Sequence, residues 1–425
     1  MNRFTEVDAR AGEPDSGTGR ARGAAAAGAD NAPPTGSGSR RVPFSRPSIG
    51  EAEKEAVLRV LDSGWLTTGE EAAAFEREFA DAVGARHACA VNSATAGLHL
   101  ALEAAGVRAG DRVAVPTYTF AATAEVVRYL GADPLFVDSM PNSPNLSIAE
   151  LQAALAGPAT DAPPKAIVPV HLCGLPCDVT PITELAETIG ATVVEDAAHA
   201  FPAELSDGSP VGSRGTAVFS FYATKPITTG EGGMVVTDDE SIAERMRVMR
   251  LHGIDRPIWN RYRGIGTPWE YDVVAPGFKY NMPDLLAAVG RAQLGRAETF
   301  RRCRADAAHD YRRLLSDLPD VRLPDDDPGH AWHLFCIRVP AGFRDRIIEG
   351  LAARGIGASV HYRPLHMMSY YRERYSLNDR DFPHATARFR ETISLPLYPE
   401  LDSADRLYVV ESLKQTMTEC RRGSR

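Results

Sequence analysis

The pattern of apolar and polar positions divides the chain into a polar tail and a long alternation of short strands and helices. Residues 1–41 are rich in Gly, Ala, Ser, Pro and Arg and almost lack large apolar residues, which is typical of a disordered tail. The predicted strands are Ala88–Val91, Arg112–Val115, Pro134–Val137, Ala166–Val170, Thr192–Val194 and Ala217–Phe221, and a Gly-rich bend then leads into the apolar run Met234–Thr237. Because helical stretches separate these strands, the pattern predicts an α/β fold with a large, mainly parallel sheet covered on both faces.

Helical periodicity also marks the two ends of this alternation. Before the first strand it predicts helices over Glu51–Leu61 and around Phe75–Val83. The helices predicted between and after the strands are Thr95–Ala104, Ala121–Leu130, Ile148–Leu155, Ile182–Ile189 and Ile242–Leu251. One long helix is predicted from Pro283 to about Leu315, and it leads to a smaller region. The elements predicted there are strand Trp332–Val339, helix Arg344–Ala353, strand Ala358–His361 and a terminal helix from Ser403. We therefore expect a large α/β domain at 42–290, followed at 291–425 by a linking helix and a small C-terminal α+β domain.

Composition narrows the class of protein. The 425 residues are 44% hydrophobic and 24% charged, which is ordinary for a globular chain with ample core. A formal net charge of -9 argues against nucleic acid as the main partner, and no run of about 18 apolar residues predicts a membrane span. The six scattered cysteines form no disulfide framework, which fits a reducing cytoplasm. Cys173 and Cys177, with His171 before them, do not match a zinc spacing, so no metal site is predicted.

Polar and aromatic residues stand where the predicted strands end, and in open parallel sheets ligands collect at those ends. The segments concerned are Asn92–Gly97, Pro116–Phe120, Glu195–His199, and Ser220 with Lys225. Ser93 and Thr95 open a helix, where hydroxyl and backbone N–H groups can hold an anion, although a plain helix N-cap explains them equally well. Asp196 emerges from an apolar strand and needs a cationic or hydrogen-bond-donating partner to remain charged.

Lys225 is the strongest candidate for covalent chemistry. The chain has only five lysines, Lys54, Lys165, Lys225, Lys279 and Lys414, and the other four lie in polar helix, loop or tail contexts. At the end of a buried strand, desolvation disfavours the ammonium form and lowers the lysine pKa, so that the neutral amine can condense with a carbonyl. The alternative for a single lysine is a surface residue in a hairpin turn.

Taken together, these strand ends would supply an amine, a carboxylate, an anion cradle, an imidazole and an aromatic face. Pyridoxal 5'-phosphate requires an amine to hold its aldehyde, a carboxylate to keep its ring nitrogen protonated, a phosphate cradle and a stacking surface. The sequence therefore predicts a pyridoxal phosphate site along this edge of the sheet.

Three sequence blocks carry a resemblance to a known family. They are Phe219–Lys225 with Thr229–Gly233, Val194–Ala200, and Gly277–Met282. These blocks resemble the sugar aminotransferases of the DegT/DnrJ/EryC/StrS type, and the similarity runs from about Val42 to Thr418. The resemblance implies a pyridoxal phosphate-dependent enzyme of fold type I, with a large seven-stranded, mainly parallel sheet and a small C-terminal domain.

The resemblance also assigns roles by motif. It implies that Lys225 binds the cofactor aldehyde and moves the proton, and that Asp196 pairs with the ring nitrogen. The remaining implied cofactor contacts are His199 to the phenolic oxygen, where many relatives carry Gln, Phe120 to the ring face, and Thr95, Ala96 and Ser220 to the phosphate. Asn281 matches a residue that reaches the phosphate of a neighbouring subunit, which implies a homodimer with shared active sites. Ala94 and Pro226 depart from the family pattern, which often has Gly and Asn there.

The activity implied by the resemblance is transfer of an amino group from L-glutamate to a nucleotide-linked keto-sugar in the cytoplasm. The preferred acceptor is a dTDP- or UDP-4-keto-6-deoxyhexose, for which Trp269–Val274 is reminiscent of the C-4 branch. A C-3 keto-sugar or inosose aminotransferase is the nearest alternative, and a non-catalytic regulator or scaffold is a more distant one. Further polar candidates are Arg256, Arg261 and Arg263 for a diphosphate, or equally as solvated loop charges, and His333, His361, Arg363 and His366 in the small domain.

Overall fold

A computed structural model describes residues 40–156, 162–255 and 271–422. Within these ranges the strands are β1 His87–Val91, β2 Arg112–Pro116, β3 Asp133–Val137, β4 Ala166–Ile167, β5 Thr192–Asp196, β6 Thr216–Ser220, β7 Gly233–Thr237, β8 Phe335–Arg338 and β9 Thr392–Leu395. The helices before β8 are α1 Glu51–Ser63, α2 Glu70–Val83, α3 Ala94–Ala104, α4 Ala122–Tyr129, α5 Ile148–Leu155, α6 Thr180–Ile189, α7 Glu240–Met249, α8 Asp284–Leu294 and α9 Ala297–Leu315. Those after it are α10 Arg344–Ala353, α11 Ser369–Arg374, α12 Pro383–Glu391 and α13 Ser403–Arg422. None of the helices in these ranges combines the length and apolarity that a bilayer span requires.

Strands β1 to β7 form one sheet in the order β1-β7-β6-β5-β4-β2-β3. Strand β7 is antiparallel to both of its neighbours, and the other neighbouring pairs are parallel, so the predicted mainly parallel seven-stranded sheet is confirmed. Residue Asp196 of β5 lies opposite Val218 of β6, which brings the carboxyl ends of these two strands to the same edge. That edge is where the polar strand ends were expected to meet.

Both faces of the sheet are covered, and β6 shows why its residues are almost all apolar. Val218 packs into the hydrophobic cluster that contains α3 and α7, while Phe219 packs into the cluster on the opposite face with Phe75 and Phe79 of α2. Side chains alternate along a strand, so a strand buried on both faces needs apolar residues at successive positions. Ser220, the last residue of β6, interrupts this apolar run at the edge of the sheet.

Two predicted elements of the large sheet region differ from the structure. Strand β4 ends at Ile167, whereas the prediction extended to Val170, because Pro169 has no N–H to continue the ladder. The predicted long helix from Pro283 to Leu315 is two helices, α8 and α9, separated at Gly295. Glycine has a low helix propensity, and the break turns Arg296 toward α1, where its Nη1 atom lies 3.0 Å from Oε1 of Glu53.

The C-terminal region contains a second, two-stranded sheet in which β8 and β9 pair antiparallel. Helices α9, α10 and α13 pack with this sheet in one hydrophobic cluster. Strand β8 begins later than predicted because Trp332 has a φ of 49°, which is outside the β region. The predicted strand Ala358–His361 is wrong, since only Ser359 forms a bridge, to Ser394 of β9, and the sequence prediction missed β9 itself. The domain boundary near residue 290 stays a prediction.

Candidate active site

Lys225 and Asp196 lie at the same edge of the sheet because β5 and β6 are neighbours. Asp196 is the last residue of β5, and Lys225 follows β6 in a turn in which its N–H donates to the carbonyl of Tyr222 at 2.9 Å. A second backbone bond, from Thr229 N–H to the carbonyl of Phe221 at 3.0 Å, fixes the return of the chain. The turn therefore places the lysine amine close enough to interact electrostatically with the carboxylate of Asp196.

The Lys225 amine is set up as a weakly basic group. Burial lowers its pKa to about 8, and the negative charge of Asp196 opposes that shift. Part of the side-chain surface remains accessible, although protein atoms surround the amine on most sides. Within the described residues Nζ makes no hydrogen bond or salt bridge, so a partly accessible amine keeps free bonding capacity.

Asp196 is buried and held on both carboxylate oxygens. Oδ2 accepts a hydrogen bond from the hydroxyl of Thr123 at 2.8 Å, and Oδ1 accepts one from Ala198 N–H at 3.1 Å. Burial raises the pKa of Asp196, whereas these two bonds and the positive charge of Lys225 lower it. Each oxygen still has a free lone pair, so the carboxylate can accept from a further cationic donor.

The tautomer of His199 follows from its neighbours. The backbone N–H of Cys173 donates to Nδ1 at 3.1 Å, and a backbone amide is always a donor, so Nδ1 carries no proton in the neutral ring. Burial first, and the charge of Lys225 second, hold the pKa of His199 well below its usual value. The ring is therefore neutral with its proton on Nε2, which lies 3.1 Å from the hydroxyl of Tyr362.

The predicted phosphate cradle forms where α3 begins beside β6 and β7. Ser93 caps α3, and its hydroxyl accepts from Ala96 N–H at 3.1 Å. Gly233 of β7 pairs with Ser220, and a Cβ at Gly233 would lie 2.7 Å from the backbone nitrogen of Ala94, so only glycine permits this approach. The structure thus brings Ser220 and the first turn of α3, which contains Thr95 and Ala96, to one place.

Two predicted residues lie at the periphery of this group. Phe120 is 55% exposed, and its ring centroid lies 5.4 Å from that of Tyr362, so an aromatic face remains open beside the site. Asn281 is buried next to β1, and its Nδ2 donates to the hydroxyl of Thr68 at 2.6 Å. Within the described residues Asn281 makes no contact with Lys225, and its role toward a neighbouring subunit stays a prediction.

Several neighbours of the predicted residues were missed from the sequence. Thr123 bonds to Asp196, Tyr362 to His199, and Cys173 fixes the tautomer of His199. Behind Asp196, the ring of His171 bonds to Glu195 at 2.7 Å, and His171 also lowers the pKa of Asp196. The sequence offered a signal for Glu195, which stands directly before Asp196, and for Tyr362, which lies between the candidates His361 and Arg363.

Of the four candidates in the small domain, two histidines lie near the site, and the other two residues make contacts elsewhere. The rings of His333 and His199 lie 4.5 Å apart, and Nδ1 of His361 lies 2.8 Å from the hydroxyl of Ser394, so these two histidines are near the site. His366 is buried between two threonines, and the exposed Arg363 donates to the carbonyl of Met367 at 3.1 Å. The candidates Arg256, Arg261 and Arg263 lie outside the described residues, as do the tail 1–39 and the first two residues of Trp269–Val274.

These residues fit pyridoxal phosphate. The free amine of Lys225 suits the aldehyde, and the lone pairs of Asp196 suit a protonated ring nitrogen. The pair formed by Nε2–H of His199 and the Tyr362 hydroxyl keeps one O–H donor for a phenolic oxygen. The close approach of Gly233 to α3 brings Ser220 beside the first turn of α3, and a helix N-terminus suits a phosphate. The fold and this arrangement define a pyridoxal phosphate-dependent transferase of fold type I.

The family follows from comparison with known proteins. Residues 47–414 match the model of the DegT/DnrJ/EryC1/StrS aminotransferase family. The chain therefore belongs to this family and is a pyridoxal phosphate-dependent sugar aminotransferase, which confirms the resemblance, the fold class, the enzyme class and the cofactor predicted from the sequence.

Individual relatives cover nearly the whole chain. The spore coat polysaccharide biosynthesis protein SpsC of Bacillus subtilis is 42% identical over 381 residues, which is 88% of this chain and 96% of SpsC. The PMP form of Spr1654 from Streptococcus pneumoniae, provisionally described as a sugar aminotransferase, aligns with a TM-score of 0.82 and 30% identity over 91% of this chain and all of the other. PseC of Helicobacter pylori, an aminotransferase of pseudoaminic acid biosynthesis, aligns with a TM-score of 0.80 and 28% identity over 89% and 100% of the two chains.

Proposed function

We propose that the enzyme transfers an amino group from L-glutamate to a nucleotide-linked keto-sugar, with a dTDP- or UDP-4-keto-6-deoxyhexose as the preferred acceptor. The observation that carries the proposal is the Lys225 amine, with a pKa of about 8, beside the buried carboxylate of Asp196. Membership of a sugar aminotransferase family supports a sugar acceptor. The nucleotide link, the C-4 position and the glutamate donor are the finer parts of the proposal.

The residues of the site would hold the cofactor at four points. Asp196 would hold the ring nitrogen, and Nε2–H of His199 would donate to the phenolic oxygen. Phe120 would cover the ring, and Ser220, Thr95 and Ala96 would hold the phosphate. When bound, pyridoxal phosphate supplies an aldehyde that exchanges an amino group and a ring that withdraws electrons from the substrate carbon.

Lys225 is the group that would move the proton. A pKa of about 8 means that the ammonium and the free amine are both substantially populated near neutral pH, so Nζ can accept a proton at one stage and return it at another. The carboxylate of Asp196 is buried near Lys225, and interactions between charged groups are weakly screened in such a place. Burial of the Asp196 side chain also keeps bulk water away from its carboxylate.

We include a homodimer with shared active sites in the proposal. Asn281 supports it by sequence resemblance, and large apolar side chains that are half exposed here, Tyr271, Val273 and Val274, would gain cover from a second copy. Light scattering of the purified protein tests the dimer. Mixing a Lys225→Met protein with an Asn281→Ala protein tests the sharing, because a mixed dimer would then contain one intact site and recover part of the activity.

The test of the reaction uses the purified, cofactor-loaded protein. It is incubated with L-glutamate and a panel of keto-sugar nucleotides that includes C-3 and C-4 ketones and different nucleotides, and the products are identified by NMR. We expect an amino sugar from a 4-keto-6-deoxyhexose nucleotide and 2-oxoglutarate from glutamate. Amination of a C-3 ketone or of an inosose instead would replace the proposed acceptor by the alternative.

A further inference from the structure

A cavity lies next to the cofactor site and has no role in the chemistry proposed so far. Its volume is about 270 Å³, and its wall includes Tyr118, Cys173 and His361 on one side and β8, α12 and residues 322–325 on the other. Cys173 in its wall donates its backbone N–H to Nδ1 of His199 at 3.1 Å, so the cavity adjoins the predicted cofactor site. It is smaller than the roughly 300–1,000 Å³ of typical drug-sized ligand sites, which favours a small metabolite over a nucleotide sugar.

The wall of this cavity is positively charged. Arg322, Arg338 and Arg388 line it, and Asp325 is the one carboxylate among its described lining residues. Burial lowers the pKa of both His330 and His361 to about 3, so these two lining histidines are neutral. The guanidinium of Arg338 is paired with Glu391, and the other two guanidinium groups against Asp325 leave an excess of positive charge for an anion to balance.

Arg388 has the greatest need of a partner. Its residue is 8% exposed, and its Nε and Nη2 atoms are buried without a hydrogen-bond acceptor in the described part of the chain. Burial lowers its pKa, and the neighbouring charge of Arg338 lowers it further. The charge of Arg338 is already balanced, since its Nη2 lies 2.7 Å from Oε2 of Glu391, whereas no described carboxylate lies within salt-bridge distance of Arg388. A buried charge without a counter-ion is unfavourable, and this one borders a cavity.

We propose that this cavity, with Arg388 as its principal cation, binds a carboxylate group of the amino donor. This inference rests on the proposed use of a dicarboxylic donor and adds a specificity-determining residue to it. A guanidinium suits a carboxylate because its planar donors match the two oxygens, and an anion at Arg388 would relieve the unpaired charge. Cys173 lines this anion pocket and bonds to His199, which places the pocket beside the site where the amino group would react.

The direct test is binding of glutarate, an unreactive five-carbon dicarboxylate, to the cofactor-loaded protein by titration calorimetry. We expect Arg388→Met to weaken glutarate binding at least about 10-fold and Arg388→Lys to weaken it less, because lysine keeps the charge but not the fork. The matched control is Arg390→Met on the same helix, since Arg390 is exposed and pairs with Asp379 at 2.9 Å outside the cavity. Equal binding by wild type and Arg388→Met would overturn the proposal.

A second measurement separates this inference from the proposed function. The yellow absorbance of the loaded enzyme is followed after addition of L-glutamate or L-alanine, with no sugar present. At limiting glutamate we expect the absorbance of Arg388→Met to change more slowly than that of wild type. Wild type should react faster with glutamate than with alanine. If wild type transaminates a keto-sugar nucleotide but Arg388→Met reacts with glutamate as wild type does, the anion pocket is wrong and the proposed function stands.

Two controls test whether the variant folds and whether the bound anion is a carboxylate or a phosphate. Arg388→Met is compared with wild type by thermal unfolding, and if it does not fold, Arg388→Lys is used for the same titrations, where an unchanged glutarate affinity counts against the proposal. Inorganic phosphate is titrated in parallel with glutarate. Tight phosphate binding that depends on Arg388, together with no glutarate binding, would assign the pocket to phosphate and overturn the carboxylate assignment.

Discussion

Two buried polar groups of this enzyme share many properties and differ in one that separates function from structure. The reactive group consists of Lys225, Asp196 and His199 at the sheet edge, and the structural group consists of Thr117, His366 and Thr386. Both contain a buried histidine whose pKa is lowered by burial. Burial and a shifted pKa therefore do not by themselves mark an active site.

In the structural group every hydrogen-bonding atom of the histidine is used. The hydroxyl of Thr386 donates to the carbonyl of Asp379 at 3.2 Å, so it must accept from Nε2–H of His366, which lies 3.0 Å away. Thr117 accepts from the backbone N–H of His366 at 3.2 Å and donates its own proton to Nδ1 at 2.8 Å. The network closes on itself and leaves nothing for a ligand.

In the reactive group the networks stay open. His199 has the same tautomer as His366, but its Nε2–H points to the hydroxyl of Tyr362, whose proton has no acceptor in the described part of the chain. The Lys225 amine likewise makes no hydrogen bond there, although its pKa is shifted to about 8. The difference between the two groups is thus unused bonding capacity in a buried place, and this property points to ligand binding.

Replacement of Lys225 should have the largest effect on the reactive group. Lys225→Met removes the nucleophile and the proton carrier, so we expect turnover to fall by about 10⁴-fold or more, because general acid–base catalysis alone contributes about 10²–10⁴-fold. Steady-state assays of amino sugar formation measure this. Lys54→Met is the control, since Lys54 is exposed and among the described residues its amine pairs with Glu51 alone, at 2.6 Å. Retained turnover in Lys225→Met would exclude Lys225 as the nucleophile.

Two isosteric carboxylate changes should separate the two kinds of buried site. Asp196→Asn removes the charge that faces Lys225, and we expect kcat to fall by about 10²–10⁴-fold with little loss of stability. Asp138→Asn removes a carboxylate that accepts from the N–H groups of His384 and Ala385, each at 2.9 Å, and should cost about 1.5–3 kcal/mol of unfolding free energy. Measurements of kcat and of denaturant unfolding on both variants test this expectation. A loss of kcat in Asp138→Asn equal to that in Asp196→Asn would show that the two carboxylates do not differ in function.

The predictable part of this site is the part that depends on strand ends. Lys225, Asp196 and Ser220 follow neighbouring strands, so alternating periodicity and the sheet-edge rule were sufficient to bring them together. Thr123 and Tyr362 could not be found this way, because their partners are distant in sequence. Thr123 bonds to Asp196, 73 residues away, and Tyr362 to His199, 163 residues away. The tautomer of His199 depends on Cys173, whose φ of 63° no sequence pattern indicated.

The break between α8 and α9 shows the same limit for the fold. Apolar periodicity continues on both sides of Gly295, so the sequence predicted one helix. The contact that accompanies the break joins Arg296 to Glu53, 243 residues away. The low helix propensity of a single glycine is too weak a signal to predict a break from sequence. The long-range contact of Arg296, which sequence periodicity does not show, accompanies the break.

The lowered pKa of Lys225 gives a measurable difference among the lysines. At pH 7.5 an amine with a pKa of about 8 is on the order of 100-fold richer in the neutral, reactive form than an ordinary lysine amine. With only five lysines in the chain, labelling of the cofactor-free protein by an amine reagent can be resolved site by site with mass spectrometry. The Lys225 rate should rise with pH and level off above about 8, while the rate at Lys54 continues to rise. A Lys225 profile that follows Lys54 would show that burial does not shift the amine.

The smallest expected effect concerns the two histidines themselves. His199→Gln keeps one acceptor for Cys173 N–H and one donor for the cofactor side, so kcat should stay within about 10-fold of wild type, while the absorbance of the bound cofactor shifts. His366→Gln cannot keep both threonine bonds and the ring stacking on Phe382, whose centroid lies 4.8 Å away, and should lower unfolding free energy by about 1–3 kcal/mol with kcat unchanged. The opposite result, a spectral shift in His366→Gln and a stability loss confined to His199→Gln, would mean that unused hydrogen-bonding capacity does not mark the functional histidine. The expected result would assign the functional role to the open hydrogen-bond network, since the two rings match in burial, tautomer and direction of pKa shift.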